Sequence, residues 1–299
     1  MYLGVDIGGT DIKFGVVNAE GRIVARAAVP TPKTSAEAVA DAVAAGVKQL
    51  SAAFPAETVG VGTPGIVAPD GRVSAANLPF ADTPLADLIA ARIGRTAALG
   101  NDANCAALGE AAAGGEDDLL LVTLGTGVGG GIVTGGKPVI GAHGGAGEIG
   151  HMCIRVGGRA CPCGKRGCFE QYASASALTA AAKAAAAAHP DSLLAAYAKD
   201  GMDGKVFFRA VADGCPAAAA VLDAYLTDLA AGLESLQSIF DPAVIVLAGG
   251  ITEAGDALLA PLMQKLSADF PLKLSSLRSD AGVIGAAALG RKEAARHAD

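Results

Sequence analysis

In this chain of 299 residues no membrane-spanning segment is expected. Hydrophobic residues make up 52% of it and mean hydropathy is +0.42, yet no apolar run approaches the roughly 18 residues that a span needs. The excess is carried largely by alanine. No leader is expected either: strand-like Tyr2 to Val5 leads directly to Asp6, with no basic flank, long apolar core or cleavage site. A cytoplasmic location without a membrane partner is therefore expected. Positive charge is scarce too, since 23 Lys and Arg against 30 Asp and Glu leave a net charge of −7. That balance disfavours broad nucleic-acid binding, which needs a clustered basic surface, and no nucleic-acid partner is expected. Cysteine is sparse except in one place. Three of the six fall within Cys161-Pro162-Cys163-Gly164-Lys165-Arg166-Gly167-Cys168, a density that points to a metal rather than a disulfide in a cytosolic chain. Cys105, Cys153 and Cys215 read as small apolar packing residues.

What the chain does have is a pair of glycine turns. Leu124-Gly125-Thr126-Gly127-Val128-Gly129-Gly130-Gly131 and Gly8-Gly9-Thr10 each follow an apolar run and precede another. Each therefore reads as the tight turn of a β-hairpin. Backbone N–H groups approach phosphate oxygens closely only where no Cβ intervenes, and threonine adds a hydroxyl donor. Either turn alone could be an ordinary hairpin; together they can clamp one polyphosphate.

Hydrophobic periodicity gives the organisation. Hairpin 2–17 is followed by strand 22–29, helix 36–53, strand 58–62, helix 84–93 and strand 96–99, with a turn at Asp70-Gly71. A small-residue helix, Cys105 to Ala112, precedes the second hairpin at 119–134. Helices at 174–188, 191–199, 216–240, 255–268 and 281–295 and strands at 243–247 and 272–277 complete the chain. The second half thus reads as a variant of the first. The expected domains are 1–104, joined by the C-terminal helix 281–299, and a larger 105–280 that carries the cysteine loop.

Six segments occur in one order: Asp6-Ile7-Gly8-Gly9-Thr10, Gly62-Thr63-Pro64-Gly65, Asn101-Asp102-Ala103-Asn104, Leu124 to Gly131, Gly147-Glu148-Ile149-Gly150-His151 and Cys161 to Glu170. In these the chain resembles the ROK family of repressors and sugar kinases, from Tyr2 to about Ala288, and within it the bacterial glucokinases. The resemblance implies the two-domain α/β fold of actin, hexokinase and the heat-shock ATPases, with nucleotide and substrate meeting in a cleft between domains.

Phosphoryl transfer asks a protein for positioning, charge neutralisation and a destination for the acceptor's proton. Asp102 follows a strand and stands where a helix begins; read by itself it is a helix cap, whereas the resemblance makes it the catalytic base. Asp6, beside the first turn, suits a Mg²⁺ held through its waters. Gly8, Gly9, Thr10, Gly125, Thr126 and Gly127 would donate to the phosphates of ATP, and Gly249-Gly250 would lie against its ribose or adenine unless that pair is only a close-packing site. Asp11 departs from relatives, many of which carry a basic or neutral polar residue there, and Lys13 is expected on the other strand face.

By resemblance Asn101, Asp102, Glu148, His151 and Glu170 bind the sugar, with Gly65 and Asn77 at its edge. His151, Cys161, Cys163 and Cys168 supply three thiolates and one imidazole, a complete tetrahedral set for structural Zn²⁺, with the second histidine nitrogen left for sugar. The expected activity is ATP- and Mg²⁺-dependent phosphorylation of a hexose 6-hydroxyl, glucose first. An N-acetylhexosamine kinase remains open because Phe80-Ala81 follows Asn77-Leu78-Pro79 where glucokinase-like relatives often carry Gly-Trp. Polyphosphate as donor stays open. A sugar-responsive repressor would need a helix-turn-helix ahead of the first strand, which begins at Tyr2. The resemblance also implies a homodimer.

Overall fold

The computed structural model describes residues 1–75 and 77–296; the end of the expected helix 281–299 lies outside the described residues. Along the chain, strands β1 (Tyr2–Ile7), β2 (Asp11–Val17) and β3 (Ile23–Pro30) precede helix α1 (Ala36–Ala53) and β4 (Thr58–Thr63). Short strands β5 (Ile66–Val67), β6 (Val73–Ala75) and β7 (Phe80–Thr83) lead to α2 (Leu85–Ile93), β8 (Ala98–Asn101) and α3 (Asp102–Gly114). Next come β9 (Leu119–Leu124), β10 (Val128–Thr134), β11 (Lys137–Pro138), α4 (Glu170–Ala173), α5 (Ala175–Ala188), α6 (Leu193–Tyr197), α7 (Gly204–Ala212) and α8 (Pro216–Phe240). The chain closes with β12 (Val244–Ala248), α9 (Asp256–Met263), β13 (Leu272–Leu274) and α10 (Ala281–Arg296). Among the described residues no helix is long and apolar enough to cross a membrane.

Two compact units emerge. One comprises Met1–Leu121, Gly131–Gly147 and the chain from Ser276 on; the other comprises Val122–Gly130 and Glu148–Ser275. The strand orders show the duplication: β3-β2-β1-β4-β8 in one sheet and β11-β10-β9-β12-β13 in the other. In both, a hairpin's first strand lies beside a later strand reached by crossover. In the first sheet β2 runs antiparallel to β1 and β3, while β1–β4 and β4–β8 are parallel. Parallel strands expose their C-terminal ends together at one sheet edge, and there stand Asp6, Thr63 and Asn101.

The core of the first unit uses aliphatic side chains, with Leu3, Val5, Ile7, Val39, Val43 and Val61 all fully buried. α1 has a proper entry: the Ser35 hydroxyl accepts from the Ala38 N–H at 3.1 Å. α10 lies against β1, β4 and α3. Its approach depends on missing side chains, because a Cβ at Gly4 would stand 1.9 Å from the Val283 oxygen and one at Gly60 only 1.8 Å from that of Ala286.

Several elements differ from the sequence expectation. The helix after Asn101 starts at Asp102 rather than Cys105. The helix expected over 255–268 is shorter, α9 at Asp256–Met263; Gly255, at φ 56° and ψ −126°, separates it from a 3₁₀ turn at Gly250–Ala254. Strand 272–277 stops at Leu274. α7 is not among the expected helices, although Asp203 caps it by accepting from the Val206 N–H at 2.8 Å and Phe207 and Ala210 face inward. The short extended segments on either side of the Asp70-Gly71 turn are β5 and β6; β7, which completes their sheet, is unexpected, being too short for a period to register.

Because α10 meets β4 backbone to backbone, Gly60→Ala should destabilise the fold by roughly 3 kcal/mol through overpacking. Urea denaturation with an unchanged m value is the check.

Candidate active site

In the first unit the hairpin turn is closed by the Gly8 N–H, which donates to the Asp11 carbonyl at 2.9 Å. Asp6, next to last in β1, stands directly opposite Lys13 of β2. Burial raises the Asp6 carboxyl above its ordinary range, and the Lys13 ammonium opposes that rise. Gly282, at the start of α10, lets the carboxylate in: a Cβ there would stand 2.8 Å from Asp6 Oδ2. Asn77 is exposed and its amide nitrogen lies over the same turn, 3.6 Å from where a Gly9 Cβ would be.

Asp102 is the first residue of α3 but not its cap. Asn101 caps the helix: its Oδ1 accepts from the Ala103 N–H at 2.9 Å and the Asn104 N–H at 3.2 Å, while its Nδ2 donates to the Gly65 carbonyl at 2.9 Å. The helix entry is thereby satisfied by a neutral amide. Asp102 Oδ1 still accepts from the Ala103 N–H at 2.9 Å. Burial pushes the Asp102 carboxyl up to about 6, with the Asp6 charge adding to the rise and the hydrogen bonds opposing it. Asp102 therefore stands well above the ordinary value of about 3.9, at which a carboxylate is a weak base.

The second unit holds the other turn. The Gly125 N–H donates to the Gly127 carbonyl at 3.0 Å, and the Ala175 N–H at the start of α5 donates to the Gly125 carbonyl at 2.9 Å. Glu170 lies against this turn, its Oε2 accepting from the Val128 N–H at 3.2 Å. A Cβ at Gly127 would be 2.1 Å from that oxygen. A cavity of about 490 Å³ opens beside Thr126, Glu170 and Ser174. Gly249, at φ 100°, sits where a Cβ would be 2.3 Å from the Leu124 oxygen, so it packs on the strand end that carries the turn. Gly250 has open space around its Cα.

His151, Cys161, Cys163 and Cys168 converge, their ligand atoms all within 4.8 Å of one another. Cys163 and Cys168 sulfurs are 3.6 Å apart, and Cys161 Sγ is 3.7 Å from His151 Nδ1. Sulfurs bonded at about 2.3 Å around a tetrahedral zinc would stand about 3.8 Å apart, so donor set and spacing both fit Zn²⁺. Gly164 and Gly167, at φ 86° and 80°, make the bends. The histidine divides its nitrogens: Nδ1 faces the sulfurs, and Nε2 lies 3.9 Å from Glu148 Oε2.

The chain matches the ROK family over residues 2–293. It belongs to the ROK family. It is 38% identical to a glucokinase of Streptomyces coelicolor, with 98% of each chain covered. It is 35% identical to an N-acetyl-D-glucosamine kinase of Salmonella typhimurium, with 84% of each covered. Among solved structures, a ROK family glucokinase from Streptomyces griseus in complex with glucose and AMPPNP superposes with a TM-score of 0.83 at 37% identity, covering 97% of this chain and 99% of that one. The fold is the two-domain actin- and hexokinase-like architecture of these ROK relatives.

Two side chains of this ROK chain stand elsewhere than their sequence suggests, and a third joins the site without having been expected there. Lys13 shares a face with Asp11, both exposed, because residues two apart on a strand point the same way. Cys153 is exposed rather than packed, bridging backbone to Cys168 within the metal loop. Gln171 is absent from the expected site residues, yet its Nε2 lies 3.7 Å from Cys161 Sγ and 3.5 Å from Glu170 Oε1, linking the metal cluster to the carboxylate beside the turn. Its only sequence signal is a polar side chain next to Glu170.

Carboxyl titration by NMR should place Asp102 near pH 6. In Asp6→Asn the midpoint should fall, because removing a neighbouring negative charge eases ionisation.

Proposed function

We propose that this ROK chain is an ATP-dependent kinase that phosphorylates the 6-hydroxyl of glucose. The observation that carries the reading is Asp102, a half-buried carboxylate lifted to about 6 where α3 leaves the end of the parallel strand β8. A group with that pKa is ionised at neutral pH yet accepts a proton more readily than an ordinary carboxylate. Asp102 would take the proton of the sugar 6-hydroxyl as that oxygen bonds to the terminal phosphorus of ATP, and the bond to the bridging oxygen breaks to release ADP. The curated glucokinase relatives and the solved complex with glucose and AMPPNP support substrate and donor alike.

Gly8, Gly9 and Thr10 of the first unit and Gly125, Thr126 and Gly127 of the second would donate to phosphate oxygens. Asp6 would hold Mg²⁺ through water, and the ion would neutralise charge on the phosphates. For Gly249, packing on Leu124 makes its contribution one of positioning the second turn; Gly250 remains free to lie against the nucleoside.

Glu148, His151 and Glu170 would bind the sugar hydroxyls, Asn101 would add the one Nδ2 hydrogen that its bond to Gly65 leaves free, and Gly65 and Asn77 would lie alongside. Specificity follows from buried partners that an analogue lacking a hydroxyl would leave unpaired. Zn²⁺ at His151, Cys161, Cys163 and Cys168 would be structural, since four protein ligands complete its shell. It would brace the loop between Glu148 and Glu170 through His151 and Gln171. A homodimer in the cytoplasm belongs to the same proposal. The N-acetylglucosamine kinase relative keeps a second acceptor in view.

Asp102→Asn should lower kcat roughly 10²–10⁴-fold while hexose binding persists; full retention of turnover would remove Asp102 as the base. In the wild type kcat/KM should fall as pH drops through about 6, where the carboxylate is protonated. A coupled assay over glucose, mannose, N-acetylglucosamine and N-acetylmannosamine, with ATP and with polyphosphate, should give the highest kcat/KM for glucose and ATP. Elemental analysis should find about one zinc per chain, lost in Cys163→Ser.

A further inference from the structure

The first glycine turn is gripped from its carbonyl side by a segment that carries none of the recognised motifs. The Thr31 hydroxyl donates to the Gly8 carbonyl at 2.8 Å, the Lys33 ammonium donates to the Gly9 carbonyl, and the Thr31 N–H donates to the Thr10 carbonyl at 2.8 Å. Three consecutive carbonyls are therefore engaged by two residues. β3 brings them there, since Pro30 at its end pairs with Asp11. Thr31 is buried, and Lys33 is exposed.

A trans peptide is planar, with C=O and N–H pointing in opposite directions, and no peptide bond of the described chain is cis. Fixing the Gly8 carbonyl thus aims the Gly9 N–H the other way, and fixing the Gly9 carbonyl does the same for the Thr10 N–H. Among the described residues neither N–H has an acceptor in the protein. Two adjacent donors whose peptides are both held in place form a preorganised anion cradle, and a cation on the far end of a peptide strengthens its dipole. The setting calls for such help: Asp6 precedes the turn and Asp11 follows it, so the local carboxylates oppose a polyanion.

We propose that Thr31 and Lys33 are positioning residues for the phosphoryl donor, aiming the Gly9 and Thr10 amides at its terminal phosphates and supplying the positive charge behind them. This rests on the reading of the chain as an ATP-dependent kinase. It explains how a turn flanked by two aspartates receives ATP: beside Lys13, which stands opposite Asp6, further compensating charge arrives from the next strand's end.

The test measures equilibrium binding of AMPPNP, adenosine and glucose to the full chain by calorimetry, with steady-state kinetics alongside, for wild type, Lys33→Ala, Lys33→Arg and Thr31→Val. Lys33→Ala should bind AMPPNP about tenfold more weakly, the size of one charge-assisted hydrogen bond. Its KM for ATP should rise in step, with adenosine and glucose affinities unchanged. Lys33→Arg should restore most of the loss. Thr31→Val should weaken AMPPNP in the same selective way, and the exposed Lys33 decides the matter if the buried variant folds poorly. Wild-type AMPPNP affinity in Lys33→Ala, or an equal loss for adenosine, overturns the assignment while leaving an active wild type as a kinase. A wild type that neither binds AMPPNP nor phosphorylates a sugar overturns the kinase reading and this assignment together.

Discussion

The first unit's chemistry depends on which side chain satisfies the free N–H groups at the start of α3. Asn101 does so, spending its carbonyl oxygen on Ala103 and Asn104 and its amide on Gly65. Had Asp102 been the cap, two helix N–H groups and the helix dipole would have stabilised its charge and drawn its pKa down. With a neutral amide in that position, desolvation prevails and the carboxyl stays near 6. A cap one residue earlier thus turns a structural acid into a group suited to accept a proton.

That arrangement needs a rigid support. β8 and β4 run parallel and end side by side, and α10 is pressed against β1 and β4 where Gly4 and Gly60 carry no Cβ. The buried Glu110 adds a polar tie, its carboxylate accepting from Ser276 and Leu277 just before α10. Close contact of backbone with backbone leaves little room for relaxation, which fixes the strand end that leads into Asp102. The second unit uses the same device at Gly249, which seats β12 against the last residue before its glycine turn.

Features that rest on local chemistry are legible in the order of residues alone. Helix 36–53 and helix 216–240 have the same bounds in the chain's periodicity and in the fold, because each is long, periodic and punctuated by a cap or an N-terminal proline. Both glycine turns stand between strands, and the cysteine loop closes with His151, since those residue types have few other uses at such spacing. Features that depend on partners distant in sequence are not legible in that way. β7 is four residues long and exists only through pairing with β6. Thr31 and Lys33 look like an ordinary loop until β3 lays them behind the first turn, and Gln171 gains meaning only from the sulfur and carboxylate on either side of its amide.

The sequence by itself determined which chemistry was available: glycine turns free of Cβ, an aspartate between two asparagines, and three thiols with an imidazole. These follow from residue type and spacing, which act over a few bonds. The tertiary structure alone decided the strength and direction of that chemistry. Whether Asp102 is acidic or basic, which way the amides of Gly9 and Thr10 point, and which nitrogen of His151 faces sulfur all depend on burial and on hydrogen bonds between segments far apart in the chain. Desolvation and peptide orientation are properties of the packed surroundings, and no linear pattern encodes them.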